Sequence, residues 1–151
     1  MSKQLTSQID IDASPERVWQ VLIDLRAYPE WNPFIVRAEG EAEEGRRLRL
    51  RMQPVGARAV SLAPVVVEAT SGRRLRWRGR IGLPGIFDAE HVFSLESRGG
   101  GRTRLTQSEQ FTGLLVPFMA RSLDGHTLPA FGAMNQALKQ RVEQEVVPRR
   151  G

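Results

Sequence analysis

Four polar side chains carry most of the chemistry this chain can offer: His91, Gln107, Glu109 and Asn135. In Phe87 to Leu95, His91 keeps step with the apolar set Phe87, Ala89, Phe93 and Leu95. In Thr103 to Phe111, Gln107 and Glu109 keep step with Leu105 and Phe111. A strand sends alternate side chains to opposite faces. If the two segments pair through the Gly99-Gly100-Gly101 turn, His91, Gln107 and Glu109 therefore project from one apolar face. The argument depends on register, because a slip of one residue reverses a strand's faces. Asn135 joins them from the apolar stripe of a C-terminal helix. Such a cluster suits proton transfer, with His91 as acid or base and Glu109 orienting or tuning it. Gln107 and Asn135 can hold a carbonyl or hydroxyl of a ligand. The same four residues also suit a buried hydrogen-bond network that fixes strands to helix, since buried polar groups need partners. Glu109 is the most demanding of them, because a carboxylate on an apolar face is costly without a partner.

The elements that must position these groups can be read in order. Ile9 to Phe34, IDIDASPERVWQVLIDLRAYPEWNPF, is a strand, a capped helix, an aromatic-proline turn and a second strand. Ser14-Pro15-Glu16 supplies the helix start: a hydroxyl acceptor, a residue suited to the first helical position and an early acid at the positive helix end. Val18, Val21, Leu22 and Leu25 share one face, with Trp19 beside them. Pro29 and Pro33 stop the helix. The first strand is expected at Leu5–Ile11, the first helix at Pro15–Asp24 and a helical turn at Ala27–Trp31. Six further strands are expected at about 34–42, 46–53, 58–69, 73–82, 87–98 and 102–112, separated by Gly and Pro signals. Short connections favour antiparallel neighbours. Gly113 to Gly125, GLLVPFMARSLDG, reads as a short helix or an apolar flap. The last helix is expected from Leu128 to Val147, capped by Thr127 with Pro129 in its first turn. Alternatively, Gly125 and Pro129 only kink one longer helix beginning near Leu114. Leu128, Phe131, Met134, Asn135, Leu138 and Val142 form its apolar face, opposite Lys139, Gln140, Glu143 and Gln144. Neither that stripe nor a one-faced sheet can be buried alone. An α+β helix-grip fold answers both: a curved seven-stranded antiparallel sheet wrapped around a long C-terminal helix, with two short helices between strands 1 and 2.

Composition narrows the function classes. The 151 residues fit one domain with a real core and contain no cysteine, so disulfides and thiolate chemistry are excluded. That composition is compatible with the cytoplasm, where the protein is expected to work. His91 and His126 are too few and too far apart to suggest a zinc site, and no metal or other cofactor is expected. MSKQLTSQ lacks the apolar core of a secretory signal, and no apolar run approaches the roughly 20 residues that span a bilayer. The net charge of +5 raises the question of nucleic acid. The arginines, however, alternate with apolar residues in Arg47-Leu48-Arg49-Leu50-Arg51-Met52 and in Arg73 to Ile81. They read as a solvated sheet face partly neutralised by Glu39, Glu41, Glu68, Asp88, Glu90 and Glu96, and no nucleic-acid partner is expected. GRIGLPG at 79–85 is not a phosphate loop, and no Gly-x-Ser-x-Gly motif is present.

The order of elements, with Ala13-Ser14-Pro15-Glu16-Arg17-Val18-Trp19, Trp31-Asn32-Pro33-Phe34, Leu75-Arg76-Trp77 and Gly113-Leu114-Leu115-Val116-Pro117, resembles the START-like (SRPBCC) superfamily, especially its polyketide cyclase/dehydratase branch. The resemblance runs over nearly the whole chain, 1–151. It implies a cavity for an apolar ligand between the sheet and the C-terminal helix. Trp77 either lines that cavity or packs in the core, and Trp31 and Phe34 frame an entrance, unless Trp31 instead pins the aromatic-proline turn. Leu50, Phe93, Phe111, Phe131 and Leu138 are further lining candidates with Gln107 and Asn135. Leu115 and Phe118, with Leu114, Val116 and Met119, form a flap, and Arg121 and His126 stand beside it. Three functions follow as expectations. The first is binding of a lipid, polyketide or isoprenoid-like molecule. The second is a cyclase or dehydratase using His91 and Glu109 for proton transfer. The third is a protein or membrane adaptor working through the flap at 114–119, without stable membrane insertion.

Overall fold

Ser14 starts the first helix as its residue type requires. Its Oγ accepts a hydrogen bond from the Arg17 backbone N–H at 3.3 Å, and Pro15 occupies the first turn. In the computed structural model, which describes residues 1–146, β1 (Ser2–Ile11) leads into this helix, α1 (Pro15–Ile23). A 3-10 turn (Leu25–Ala27) and α2 (Tyr28–Trp31) follow. Val18, Val21, Leu22, Leu25 and Tyr28 are buried, and the Tyr28 hydroxyl donates to the Leu22 carbonyl at 2.6 Å. Burial pushes the Tyr28 phenol well above its ordinary pKa, so that it stays a donor. Asn32 ends the helical stretch: its Oδ1 accepts from the backbone N–H of Phe34 and of Ile35, each at 2.9 Å. That pair of bonds turns the chain and delivers Phe34 to the interior.

The remaining strands are β2 (Ile35–Glu39), β3 (Arg49–Met52), β4 (Val60–Leu62), β5 (Val65–Thr70), β6 (Arg74–Ile81), β7 (Phe87–Gly99) and β8 (Arg102–Thr112). They form two antiparallel sheets, ordered β1-β8-β7-β6-β5 and β2-β3-β4. The sequence predicts one strand over 58–69; the chain instead divides it at Ala63-Pro64. Proline has no N–H for a ladder, so the run breaks there. The Pro64 carbonyl accepts from Leu48 N at 2.8 Å, and Val66 N donates to Arg46 O at 2.8 Å. Residues 46–48, expected to open the third strand, thus stitch the two sheets together beside the Arg47–Val65 bridge.

Helical backbone runs without a break from Val116 through α3 (Val116–Ser122), a π turn (Leu123–Thr127) and α4 (Leu128–Val146). Thr127 is therefore not a cap; the kinked longer helix is the observed form. Pro129 cannot donate to the Gly125 carbonyl four residues back, and the Leu128 N–H bonds instead to Leu123 O, the wider spacing of a π turn. The expected helix end at Val147 lies outside the described residues. Phe131, Met134, Asn135, Leu138 and Val142 are all buried against the concave face of the sheet, and this is the helix-grip arrangement.

The arginines of the outer face are mostly paired. Arg76 meets Glu68 at 3.0 Å and Glu90 at 2.5 Å, Arg78 meets Glu90 at 3.3 Å, and Arg80 stands 3.7 Å from Asp88. Among the described residues no helix is long and apolar enough to cross a membrane.

Candidate functional site

The register of the central strands decides which polar groups meet. On β7 and β8, His91 pairs opposite Glu109 and Phe93 opposite Gln107; on β6, Trp77 pairs opposite His91. Burial alternates along β8, with Thr103, Leu105, Gln107, Glu109 and Phe111 facing inward. His91, Gln107 and Glu109 thus share the concave face, and Asn135 reaches them from α4.

These groups form a directed chain. Gln107 Nε2 donates to Asn135 Oδ1 at 2.8 Å and approaches the Phe131 carbonyl at 3.4 Å. Asn135 Nδ2 donates to Ser7 Oγ on β1 at 3.2 Å. Gln107 Oε1 is therefore left as an acceptor, and the group facing it at 2.9 Å is His91 Nε2. The network assigns the proton to Nε2 and turns Nδ1 toward Glu109. His91 Nδ1 lies 3.4 Å from Glu109 Oε1 and makes no formed hydrogen bond. The imidazole is clamped by rings: Trp77 stacks on it at 5.3 Å and 23°, and Phe93 and Phe131 close in at 4.6 and 5.1 Å.

Beside this packed cluster lies a cavity of about 200 Å³. The sheet side of its wall is Gly79, Ala89, Phe111 and Glu109, and the helix side is Met119, Ser122, Leu123 and Thr127. Phe34 and Met52 lie on its wall too, and the β3–β4 connection adds Pro54, Ala57, Arg58, Val60 and Leu62. Glu109 is 5% exposed and takes no hydrogen bond from the described residues, so it is a nearly buried, unpaired carboxyl on a wall that also carries Arg58, Arg80, Ser122 and Thr127.

The structure brings three of the sequence-predicted residues onto this wall: Phe34, Glu109 and Phe111. His91, Trp77, Phe93, Gln107, Phe131 and Asn135 form the packed layer next to it. Leu138 is buried further along α4 and Leu50 within β3. Trp31 packs edge-on against Tyr28 at 5.1 Å and borders a separate surface hollow with Arg141. Leu115 and Phe118 are exposed, Phe118 at 82%. The segment 54–62, which in sequence is a Pro-Gly break between expected strands and the start of the next, walls the cavity instead. A signal was present in Gly79: a glycine at an inward strand position marks a close approach, here of Pro64.

Backbone contacts fix the segments next to the lining residues Phe87 and Thr127. Gly113 has φ +122°, and a Cβ there would collide with the Ile86 carbonyl, so only glycine lets the flap start lie on the β6–β7 turn. Leu114 N and Leu115 N then donate to Gly85 O and Ile86 O, each at 3.0 Å. On the other side, Val55 N donates to His126 O at 2.9 Å and His126 Nδ1 donates to Val55 O at 2.6 Å. Leu83 (74% exposed), Leu114 (69%) and Phe118 remain exposed on these segments. Among the described residues no group of three His, Cys, Asp or Glu side chains could hold a metal.

A family model described as polyketide cyclase / dehydrase and lipid transport matches residues 2–143. No curated protein sequence matches the chain. Among solved structures, the Zhui aromatase/cyclase from Streptomyces sp. R1128 superposes with a TM-score of 0.79 at 19% identity, covering 97% of this chain and 96% of that one. A START superfamily protein from Mycobacterium smegmatis gives 0.73 at 25% identity, with 95% and 99% covered. Norcoclaurine synthase from Thalictrum flavum, in complex with dopamine and hydroxybenzaldehyde, gives 0.74 at 14% identity, with 98% and 90% covered.

Proposed function

Because the chain belongs to the polyketide cyclase / dehydrase and lipid transport family, within the START-like superfamily, we propose that it binds an apolar small molecule of lipid, polyketide or isoprenoid type between sheet and C-terminal helix. The observation that carries this reading is the mostly apolar cavity of about 200 Å³ whose lining includes the exposed apolar side chains Val60, Ile81 and Met119. Pockets for drug-sized ligands run roughly 300–1,000 Å³. The present volume suits a small ring system or one end of a longer molecule, and larger ligands require the flap to move outward. The test is native mass spectrometry of the protein before and after exposure to a mixed apolar extract. A discrete bound mass, lost in the cavity-filling variant Ala89→Phe while its circular dichroism is unchanged, supports the reading. Absence of any bound species, or equal binding to Ala89→Phe, overturns it.

One observation favours a second reading, catalysis: Glu109 stands on the cavity wall with His91 behind it. In a cyclase-type step the Glu109 carboxylate takes a proton from a carbon flanked by two carbonyls, leaving an enolate. The enolate carbon adds to a ketone carbon of the same chain, forming a carbon–carbon bond and an alkoxide. The alkoxide then takes the proton back from Glu109. His91, shielded from the cavity, stands behind the carboxyl with Nδ1 3.4 Å from Oε1 and positions it. Glu109→Gln should abolish turnover of a poly-β-ketone while retaining ligand binding. Equal turnover in that variant overturns the catalytic reading and leaves the binding one standing.

A further inference from the structure

We infer that the cavity selects an amphiphile rather than a plain hydrocarbon: a ring-sized apolar body with a hydroxyl donor at its deep end and an anionic group at its mouth. This rests on the binding reading above and specifies the ligand class for that same site. The deep end is set by Glu109. Its carboxyl is nearly buried, lines the cavity and takes no hydrogen bond from the described residues. The nearest nitrogen, His91 Nδ1, is 3.4 Å from Oε1, and the walls alongside are Ala89, Phe111 and Phe34. An acceptor on such a wall discriminates in favour of a ligand that brings a donor, because every other occupant leaves it unpaired.

The mouth is set by Arg58. Two guanidinium side chains line the cavity, and they differ. Arg80 faces Asp88 at 3.7 Å, so its charge is answered. Arg58 is exposed on the β3–β4 connection and forms no ion pair or hydrogen bond with any described residue. A free guanidinium at the rim of an apolar hollow is matched by a carboxylate or phosphate on the ligand. Besides the hydroxyls of Ser122 and Thr127, which can donate or accept, the cavity thus carries two unpaired charged groups of opposite preference: an acceptor inside and a cation at the rim.

The test uses four bicyclic probes of one body: naphthalene, 2-naphthol, 2-naphthoate and 6-hydroxy-2-naphthoate, with affinities measured by calorimetry or probe fluorescence. The expected order places 6-hydroxy-2-naphthoate tightest and naphthalene weakest, each polar group adding about tenfold. In Arg58→Gln the carboxylate's gain disappears while 2-naphthol binds as before, and in the parent protein that gain shrinks as salt rises. In Glu109→Met the hydroxyl's gain disappears while naphthalene binding is kept. Equal binding of all four probes overturns the inference and leaves the binding reading intact. So does a loss of naphthalene binding in Arg58→Gln, which would assign that residue to loop structure. If no probe binds, the cavity reading itself fails, and this inference with it.

Discussion

The same two strands build a packed half and a hollow half of the interior, and the border between them is one row wide. The row Leu75–Phe93–Gln107 is closed: its side chains are fully buried, and Gln107 ties the sheet to Asn135 on the helix. Four residues along, the row Gly79–Ala89–Phe111 offers almost no side-chain volume on two of its three strands. The helix opposite that row is α3 and the π turn, where Pro129 has widened the backbone. Between these rows lies Trp77–His91–Glu109, in which Trp77 stacks on His91 and Glu109 reaches the cavity wall. The hollow therefore comes from ordinary strand geometry with small residues at paired positions. The polar cluster marks where the packed core ends.

The sharpest way to break this comparison is to hollow out the packed half. Leu138 is fully buried, and Leu138→Ala should cost about 3–4 kcal/mol in urea unfolding, the usual result of a cavity in a core that cannot collapse. A loss under about 1 kcal/mol would mean that the two halves are not differently packed. Gln107→Leu tests the border. It strands the His91 Nε2–H and the Asn135 carbonyl oxygen, and about 2 kcal/mol of stability should go. A neutral result would show that the chain from His91 to Ser7 does not hold sheet to helix.

Much of this division could be read in the residues themselves. The period-2 pattern in Phe87 to Leu95 and Thr103 to Phe111 puts His91 and Glu109 on one face, but their direct pairing also needs the register shift between Ser97 and Gly99, which the sequence does not show. The helix stripe from Phe131 to Val142 was equally plain, because five apolar or amide residues recur at helical spacing. Two things were not legible. The split at Pro64 hid in a run that otherwise reads as one strand, VSLAPVVVEAT, because the decisive fact is a missing N–H opposite Leu48. The location of the cavity hid for a different reason. It is a shortfall of volume among Gly79, Ala89 and the π turn, which lie far apart in sequence and carry no local pattern. Trp77 has the chemistry of a lining residue, but its strand position sets it against the His91 ring.

The outer face of the sheet should be indifferent to the division inside. Glu90 lies on β7 between the cavity row and the border row, and accepts from Arg76 Nε at 2.7 Å and Arg78 at 3.3 Å. Partial burial alone would raise its pKa, but the two guanidinium groups outweigh that and hold the carboxyl below the ordinary value of 4.5. A lowered folded pKa adds stability that is complete above the unfolded value and is lost as pH falls through the folded one. Glu90→Gln should therefore cost about 0.5–1 kcal/mol at pH 7, and the difference should fade below about pH 4. Denaturant curves at both pH values check it. A penalty that persists in acid would point to packing instead of charge.

Phe118 gives the smallest expected change in stability and the finest test of the hollow half. Its ring is exposed on α3, one residue before Met119 on the cavity wall. Exposed side chains contribute little to folding, so Phe118→Ser should alter stability by less than about 0.5 kcal/mol. Its effect should fall on exchange. If the flap shields a bound ligand, removing an apolar ring from it speeds dissociation several-fold while the association rate stays nearly unchanged, as stopped-flow displacement of a fluorescent probe would show. A stability loss above about 1 kcal/mol would instead mean that Phe118 packs against the protein in solution. The hollow half would then be closed by its own chain, and the packed and hollow halves would differ in what fills them.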